Sequence, residues 1–221
     1  MRRLLAGLAL VVFAAAAASA PLRAQDHAGL LMEKLAGADP GLESYRADVA
    51  FEVGLHSFPY VRKTLHGSAY FKRPAKMELV FSDLPTFARA FRNVYVSLGT
   101  PANWEKKFTI GAGEENAGGR TVSYLVLTPR SADRRLREVD VYVDDAAALP
   151  ERIVWQYRDG RIDMHQRFDR IGGHAVVVAQ DADIRLPAVH AYVAARVSNY
   201  ALNVDVSDSV FTPKTAATAR P

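Results

Sequence analysis

The groups in this chain with chemistry to offer are six histidines, two aspartates spaced two apart, and an arginine–proline corner. The histidines are His27, His56, His66, His165, His174 and His190. No two have the helical spacing of a zinc-binding HExxH motif. His165 and His174 fall on neighbouring expected strands, but pairing across Gly172-Gly173 puts them out of register, so the histidines read as scattered surface groups. Asp181 and Asp183 lie two apart on an expected strand and point to one face. Such a pair can share a proton; on a solvated strand face it is simply two charges. No GxSxG elbow is present, and no glycine run matches a phosphate-cradling loop. The chain has no cysteine, which excludes disulfides, thiolate metal sites and a cysteine nucleophile. The expectation is a protein that is not an enzyme and needs no cofactor or metal.

The third feature is Gly67 to Phe81. It reads as a strand ending at Phe71, a corner at Lys72-Arg73-Pro74, and a second strand from Lys76. Pro74 lacks a backbone N–H and biases Arg73 toward extended backbone. Arg73 is therefore expected at the rim of a sheet.

The elements around this corner follow from periodicity. Tyr45, Ala47, Val49, Phe51, Val53 and Leu55 alternate with mostly polar neighbours, the mark of a strand with one dry face. A second strand is expected over about Tyr60–Phe71, and a third alternates Met77, Leu79 and Phe81. Leu84, Phe87, Phe91 and Val94 recur at helical spacing, either as ordinary packing or as a lid over a cavity. From Val96 to Gly119 no period is legible; Trp104 and Phe108 are anchors, and Gly111–Gly119 reads as a surface loop. Six more strands are expected near Val122–Thr128, Leu136–Asp144, Arg152–Tyr157, Ile162–Phe168, Ala175–Leu186 and Val189–Leu202. Asp159-Gly160 reads as a two-residue hairpin turn with positive φ, and Gly172-Gly173 as another. About nine strands with short turns make one large antiparallel sheet, which curls.

The chain has 221 residues, 49% hydrophobic and 24% charged, as befits a single folded domain. Arg2-Arg3 and the apolar run Leu4–Ala18 form a secretory signal, expected to be cleaved near Ala24. The organisation is then a signal over 1–24, one domain over 25–211, and a loose tail over 212–221. A short helix is expected from a cap at Asp26 to about Ala36, ended by Gly37. The formal net charge of +4 includes Arg2, Arg3 and Arg23, so the mature chain carries +1. That gives no electrostatic case for nucleic acid.

The stretch containing Gly67, Phe71, Arg73 and Pro74 resembles the LolA-like family of periplasmic lipoprotein carriers, in which a glycine-containing strand leads into an aromatic-x-Arg-Pro corner. The segment Asp205–Pro213 resembles the Phe-containing segment that closes the family's sheet. The resemblance implies a mainly β (α+β) fold, an incomplete antiparallel half-barrel closed by short helices over an apolar cavity. It implies a monomeric periplasmic carrier of lipoprotein or lipid acyl chains, with transient partner proteins at the inner and outer membranes. The alternative is a lipid- or lipoprotein-sensing regulator of the same fold that acts through a protein partner. Val49, Phe51, Met77, Leu79, Phe87, Phe91, Trp155 and Tyr157 are the candidates for cavity and lid; the same residues would also build an ordinary core. By the resemblance Arg73, with Pro74, helps control opening; the other reading is a solvated corner beside a structural proline. The family places a short strand pair with an aspartate-glycine turn where this chain has Leu84–Val94, Trp104 and the glycine-rich stretch.

Overall fold

A computed structural model of the chain describes residues 20–56, 60–81, 96, 98–131, 135–144 and 148–212. The expected lid segment Leu84–Val94, with Phe87 and Phe91, lies outside the described residues, as does most of the expected signal. The strands are β1 (Ser44–Leu55), β2 (Arg62–Lys72), β3 (Lys76–Phe81), β4 (Phe108–Ala117), β5 (Arg120–Pro129), β6 (Leu136–Val143), β7 (Pro150–Tyr157), β8 (Gly160–Ile171), β9 (His174–Leu186) and β10 (Val189–Leu202). The helices are α1 (Ala20–Gly37) and the short α2 (Trp104–Lys107), with 3-10 turns at Pro101–Asn103 and Asp208–Phe211. All ten strands form one antiparallel sheet in the order β3-β2-β1-β10-β9-β8-β7-β6-β5-β4. The first and last described strands thus meet inside the sheet, as third and fourth in the order, and β3 and β4 are its outer strands.

Alternation along each strand builds the inner face. One row of directly opposed residues crosses eight strands: Val53, Val193, Ala182, Met164, Ile153, Val141, Leu125 and Ala112. Six of the eight members carry more than a methyl and the other two are alanines, so the row is a continuous apolar seam. A slip of one residue in any strand would turn its share of the seam to solvent, and this fixes the register.

The two ends of the sheet are covered differently. Helix α1 packs on β4 and β5, burying Ala28, Leu31 and Leu35. Leu125 and Leu127 of β5, and Val139 and Val141 of the neighbouring β6, are wholly inaccessible. The outer face of the same strands is closed by polar and aromatic side chains. Tyr124 stacks on Tyr142 with centroids 4.7 Å apart, and the Arg152 guanidinium lies 5.0 Å over the Tyr142 ring. Arg152 also donates from Nε and Nη2 to the two carboxylate oxygens of Asp163, each at 2.8 Å. That bidentate pair holds the Asp163 carboxyl below the usual range. Asp140, 7% exposed, accepts a bond from Gln156 Nε2 at 3.1 Å; burial nevertheless pushes its pKa up.

Three expectations are corrected. Residues 108–117 are strand β4, not a surface loop. Gly113 sits where a Cβ would meet the Tyr124 ring at 2.5 Å, so the cross-strand tyrosine takes the place of the missing side chain. The β7–β8 turn falls where expected, but its loop residues are Arg158 and Asp159, since Tyr157 pairs with Gly160. No positive φ occurs there; Gly160 is needed because a Cβ would stand 2.1 Å from the Arg185 carbonyl oxygen. Helix α1 already runs at Ala20, the first described residue, so Asp26 lies inside it and is not its cap. The Gly172-Gly173 turn is as expected, with φ of 58° and 89°.

Candidate functional site

The inner face of β1–β3 and β7–β10 is not fully filled. A cavity of about 70 Å³ lies against it, lined by Val49, Phe51, Ala69, Met77, Leu79 and Trp155, among others. A larger cavity of about 330 Å³ adjoins it, bounded by the C-terminal end of α1, the Arg73–Pro74 corner, residues 98–102, Trp104 and the start of β9. Tyr45, Met77 and Val177 line both, so the two are lobes of one recess, a deep apolar one and a wider outer one.

Local sequence explains the room. Gly67 lies opposite both Val49 and Phe81. A Cβ there would stand 2.4 Å from the Val80 carbonyl oxygen and 2.7 Å from the Phe81 ring. Its absence lets Phe81 fold over β2 and meet Phe51 edge-on, with centroids 5.7 Å apart. Ala69, Ala182 and Ala195 then supply small side chains to the floor of the deep lobe. The lobes meet near Gln166 and Gln180, which face each other across β8 and β9. Gln180 lines the deep lobe and Gln166 the outer one.

Of the sequence candidates, Val49, Phe51, Met77, Leu79 and Trp155 come together around the deep lobe. Tyr157 does not line it; the ring packs against the core at the far end of β7, opposite Leu136. Phe87 and Phe91 lie outside the described residues. Arg73 and Pro74 border the outer lobe.

Arg73 is not a solvated corner. The side chain is partly buried, and its Nε donates to the Leu42 carbonyl at 2.7 Å. The Nη2 donates to Asp39 O at 2.8 Å and, more weakly, to Ala38 O at 3.4 Å. The backbone N–H of Arg73 donates to Glu43 O at 2.9 Å. These acceptors lie just past the C-terminal end of α1, where a helix presents its negative pole. One guanidinium thus ties the β2–β3 corner to the α1–β1 connection. The Arg73-Pro74 peptide bond is cis.

Asp39 secures the same connection from the other side. Its φ is +49°, a left-handed conformation that aspartate tolerates better than most residues. Its Oδ1 lies 2.7 Å from His174 Nδ1, and its Oδ2 accepts the Ala175 N–H at 3.0 Å. His174, read from sequence as a scattered surface residue, is therefore engaged in holding α1 to β9. Asp181 and Asp183 do lie on one strand face, but each meets a cation: Asp181 with Arg196 at 3.5 Å, and Asp183 with Arg185 at 2.7 Å. The C-terminal segment is strapped to the same corner. Lys72 and Lys76 reach Asp208 at 2.9 and 3.0 Å, and Lys72 Nζ donates to Val206 O at 2.9 Å.

Ten antiparallel strands in this order, with β1 beside β10 and a helix across one end of the inner face, match solved structures over nearly their whole length. An outer membrane lipoprotein-sorting protein domain from Vibrio parahaemolyticus superposes with a TM-score of 0.62 at 10% identity, over 86% of this chain and 97% of its own. A LolA superfamily protein from Nitrosomonas europaea gives 0.55 at 14% identity, over 84% and 97%.

The fold is LolA-like.

A DUF1329 family protein from Desulfovibrio piger is similar as well, with a TM-score of 0.59 at 15% identity over 85% of this chain and 97% of its own. No family model matches the sequence, and no curated protein matches it. At these identities the likeness is one of LolA-like architecture. Among the described residues, no helix is long and apolar enough to cross a membrane.

Sequence reasoning missed most of the outer lobe. Thr100 and Trp104 sit in a stretch without periodicity, so nothing assigned them a face. Ile162, Met164, Val193 and Val197, which line the deep lobe, were legible as the dry sides of β8 and β10. Their alternation says which face they share, but not that the face is hollow.

Proposed function

We propose that this protein is a periplasmic carrier, exported by a signal cleaved near Ala24, that holds the acyl chains of lipoproteins or of a related envelope lipid in its two-lobed recess. The single observation that carries this reading is a pair of adjoining cavities on the inner face of a LolA-like sheet, the deep one lined almost wholly by apolar side chains. An acyl chain in water costs about 0.8 kcal/mol per methylene. For a sixteen-carbon chain that is on the order of 12 kcal/mol, so free diffusion between membranes is negligible. A carrier needs an apolar lining, a mouth, and a means of release, but no covalent chemistry. The outer lobe falls within the ~300–1,000 Å³ of ordinary small-molecule sites, and the deep lobe extends it toward β1 and β10. Arg73 has the position of a latch, because loosening it frees the α1–β1 connection that walls the outer lobe.

Mass spectrometry of lipids and lipopeptides that co-purify with the mature protein, without detergent, tests the reading. Acylated cargo near one equivalent is expected. Ala182→Leu, which puts three extra carbons into the deep lobe, should abolish uptake of a fluorescent acyl probe while preserving the fold. A lipid-free protein that also refuses the probe would end the carrier reading. Bound cargo that never passes from donor to acceptor vesicles, together with a stable protein partner, would instead favour a sensor of the same fold.

A further inference from the structure

We infer that Gln166 is a specificity-determining residue of the recess: its side-chain amide marks the junction of the two lobes and holds there a hydrogen-bonding group, a carbonyl or a hydroxyl, carried by the guest chain. This deepens the acyl-binding reading and rests on it. Strand β8 sets the position. Ile162, Met164, Gln166 and Phe168 alternate with the exposed Arg161, His165, Arg167 and Asp169, apart from the half-buried Asp163, so Gln166 stands on the inner face. Ile162 and Met164 line the deep lobe, Gln166 and Phe168 the outer one. The step from one lobe to the other therefore falls between Met164 and Gln166.

Gln166 is the polar exception in that row. It is 9% exposed, and among the described residues its amide has no hydrogen-bond partner. The side-chain atoms that are both sealed off and unpaired belong to His27, Thr100 and Trp104. The Gln166 oxygen and nitrogen are not among them, so they stay open to a water-sized molecule, and on the inner face they open on the recess. A primary amide donates through its nitrogen and accepts through its oxygen. A plain hydrocarbon crossing the junction excludes water from this amide and leaves it unmet, which is unfavourable. A chain whose carbonyl or hydroxyl comes level with Gln166 takes the place of that water. The deep lobe beyond is lined almost wholly by apolar side chains, so the hydrocarbon end lies there and the polar group fixes the depth of entry. The discrimination is by hydrogen bonding and not by charge; Arg73 borders the outer lobe, and a charged head beyond the junction is compatible with it.

The probes are methyl octanoate, 1-nonanol and nonane, equal in carbon count, added to the mature protein and followed in proton–nitrogen correlation spectra. The Trp155 indole, at the deep lobe, reports entry. The Gln166 side-chain amide, assigned by its loss in Gln166→Met, reports the junction. All three probes should move the Trp155 signal, and only the ester and the alcohol should move the Gln166 amide. Gln166→Met, close in size, should weaken binding of the ester and the alcohol about three- to tenfold and leave nonane as tight or tighter. Its thermal melt should stay level or rise, because the amide forms no bond within the fold. A loss confined to the ester assigns a carbonyl-bearing guest, and one confined to the alcohol a hydroxylated chain; both support the subsite. If the Gln166 amide responds alike to all three probes, or the variant keeps the wild-type ratio of polar-probe to nonane affinity, the subsite is refuted and the container stands. If no probe moves Trp155, the container falls and the subsite with it.

Discussion

The two ends of the sheet solve the same packing problem in opposite ways. Helix α1 packs on β4 and β5, and on β5 and the neighbouring β6 four side chains reach zero exposure. On β1–β3 and β8–β10 the same alternation of apolar residues ends in a recess, and Tyr45, Met77, Val177 and Val197 remain partly exposed. The strands are equally regular in both regions. Among the described residues, what differs is the cover by α1, together with the small residues Gly67, Ala69, Ala182 and Ala195 on the hollow side. One region is packed solid, and the other leaves part of its apolar face uncovered by the described residues.

Mutations that act on one region and spare the other sharpen this contrast. The largest effect is expected from Leu125→Ala under α1, a loss of about 2–5 kcal/mol in denaturant unfolding. Leu79→Ala in the recess should cost about 1–2 kcal/mol, since its surroundings already include a void to relax into. Equal losses at the two sites would erase the distinction. Next comes Arg73→Leu, which strips donors from the Leu42 and Asp39 carbonyls. It should cost about 1–3 kcal/mol and change probe release more than Leu125→Ala does, as read by transfer between vesicles.

The polar shell on the outer face gives two smaller, pH-dependent effects. The Arg152–Asp163 pair lowers the Asp163 pKa. Its contribution is complete above the unfolded carboxylate value of about 4 and disappears as pH falls through the lower folded value. Asp163→Asn should lose about 1–2 kcal/mol at neutral pH, with allowance for partial solvent screening, and thermal melts should show that deficit narrowing in acid. Asp140 has the opposite sign. Burial raises its pKa, so the folded state favours the protonated form and stability declines as pH rises from the unfolded value through the folded one. Asp140→Asn keeps an acceptor for Gln156 and should gain about 0.5–1 kcal/mol at neutral pH. A loss there would mean the charge is needed.

The sheet was legible because period-2 alternation is a strong local signal. β1 through β3 and β5 through β10 all follow from it, as does the corner at Arg73. Strand β4 was not, because Gly111 and Gly113 lower strand propensity and the compensating Tyr124 ring comes from the next strand. The positive φ expected at Asp159-Gly160 fails for a related reason: Gly160 answers to Arg185, twenty-five residues away. Among the site residues, Val49, Phe51, Met77, Leu79 and Trp155 could be placed on an inward face, but hollow and solid cores have the same alternation. What distinguishes them is three-dimensional: Gly67 under Phe81 and the small side chains of Ala69, Ala182 and Ala195. Trp104, Thr100 and the Asp39–His174 pair depend on contacts between segments far apart in sequence, which no local pattern records.

The order of the strands has one more consequence. In a closed barrel the number of strands and their stagger fix the circumference, and with it the bore. Among the described residues β3 and β4 are the two outer strands and do not pair with each other, so the described strands form no such hoop. A small change of twist, spread over ten strands, can widen the trough while every ladder bond stays intact. The width of the trough then becomes a matter of elasticity, set by how the described strands twist and not by how many of them there are.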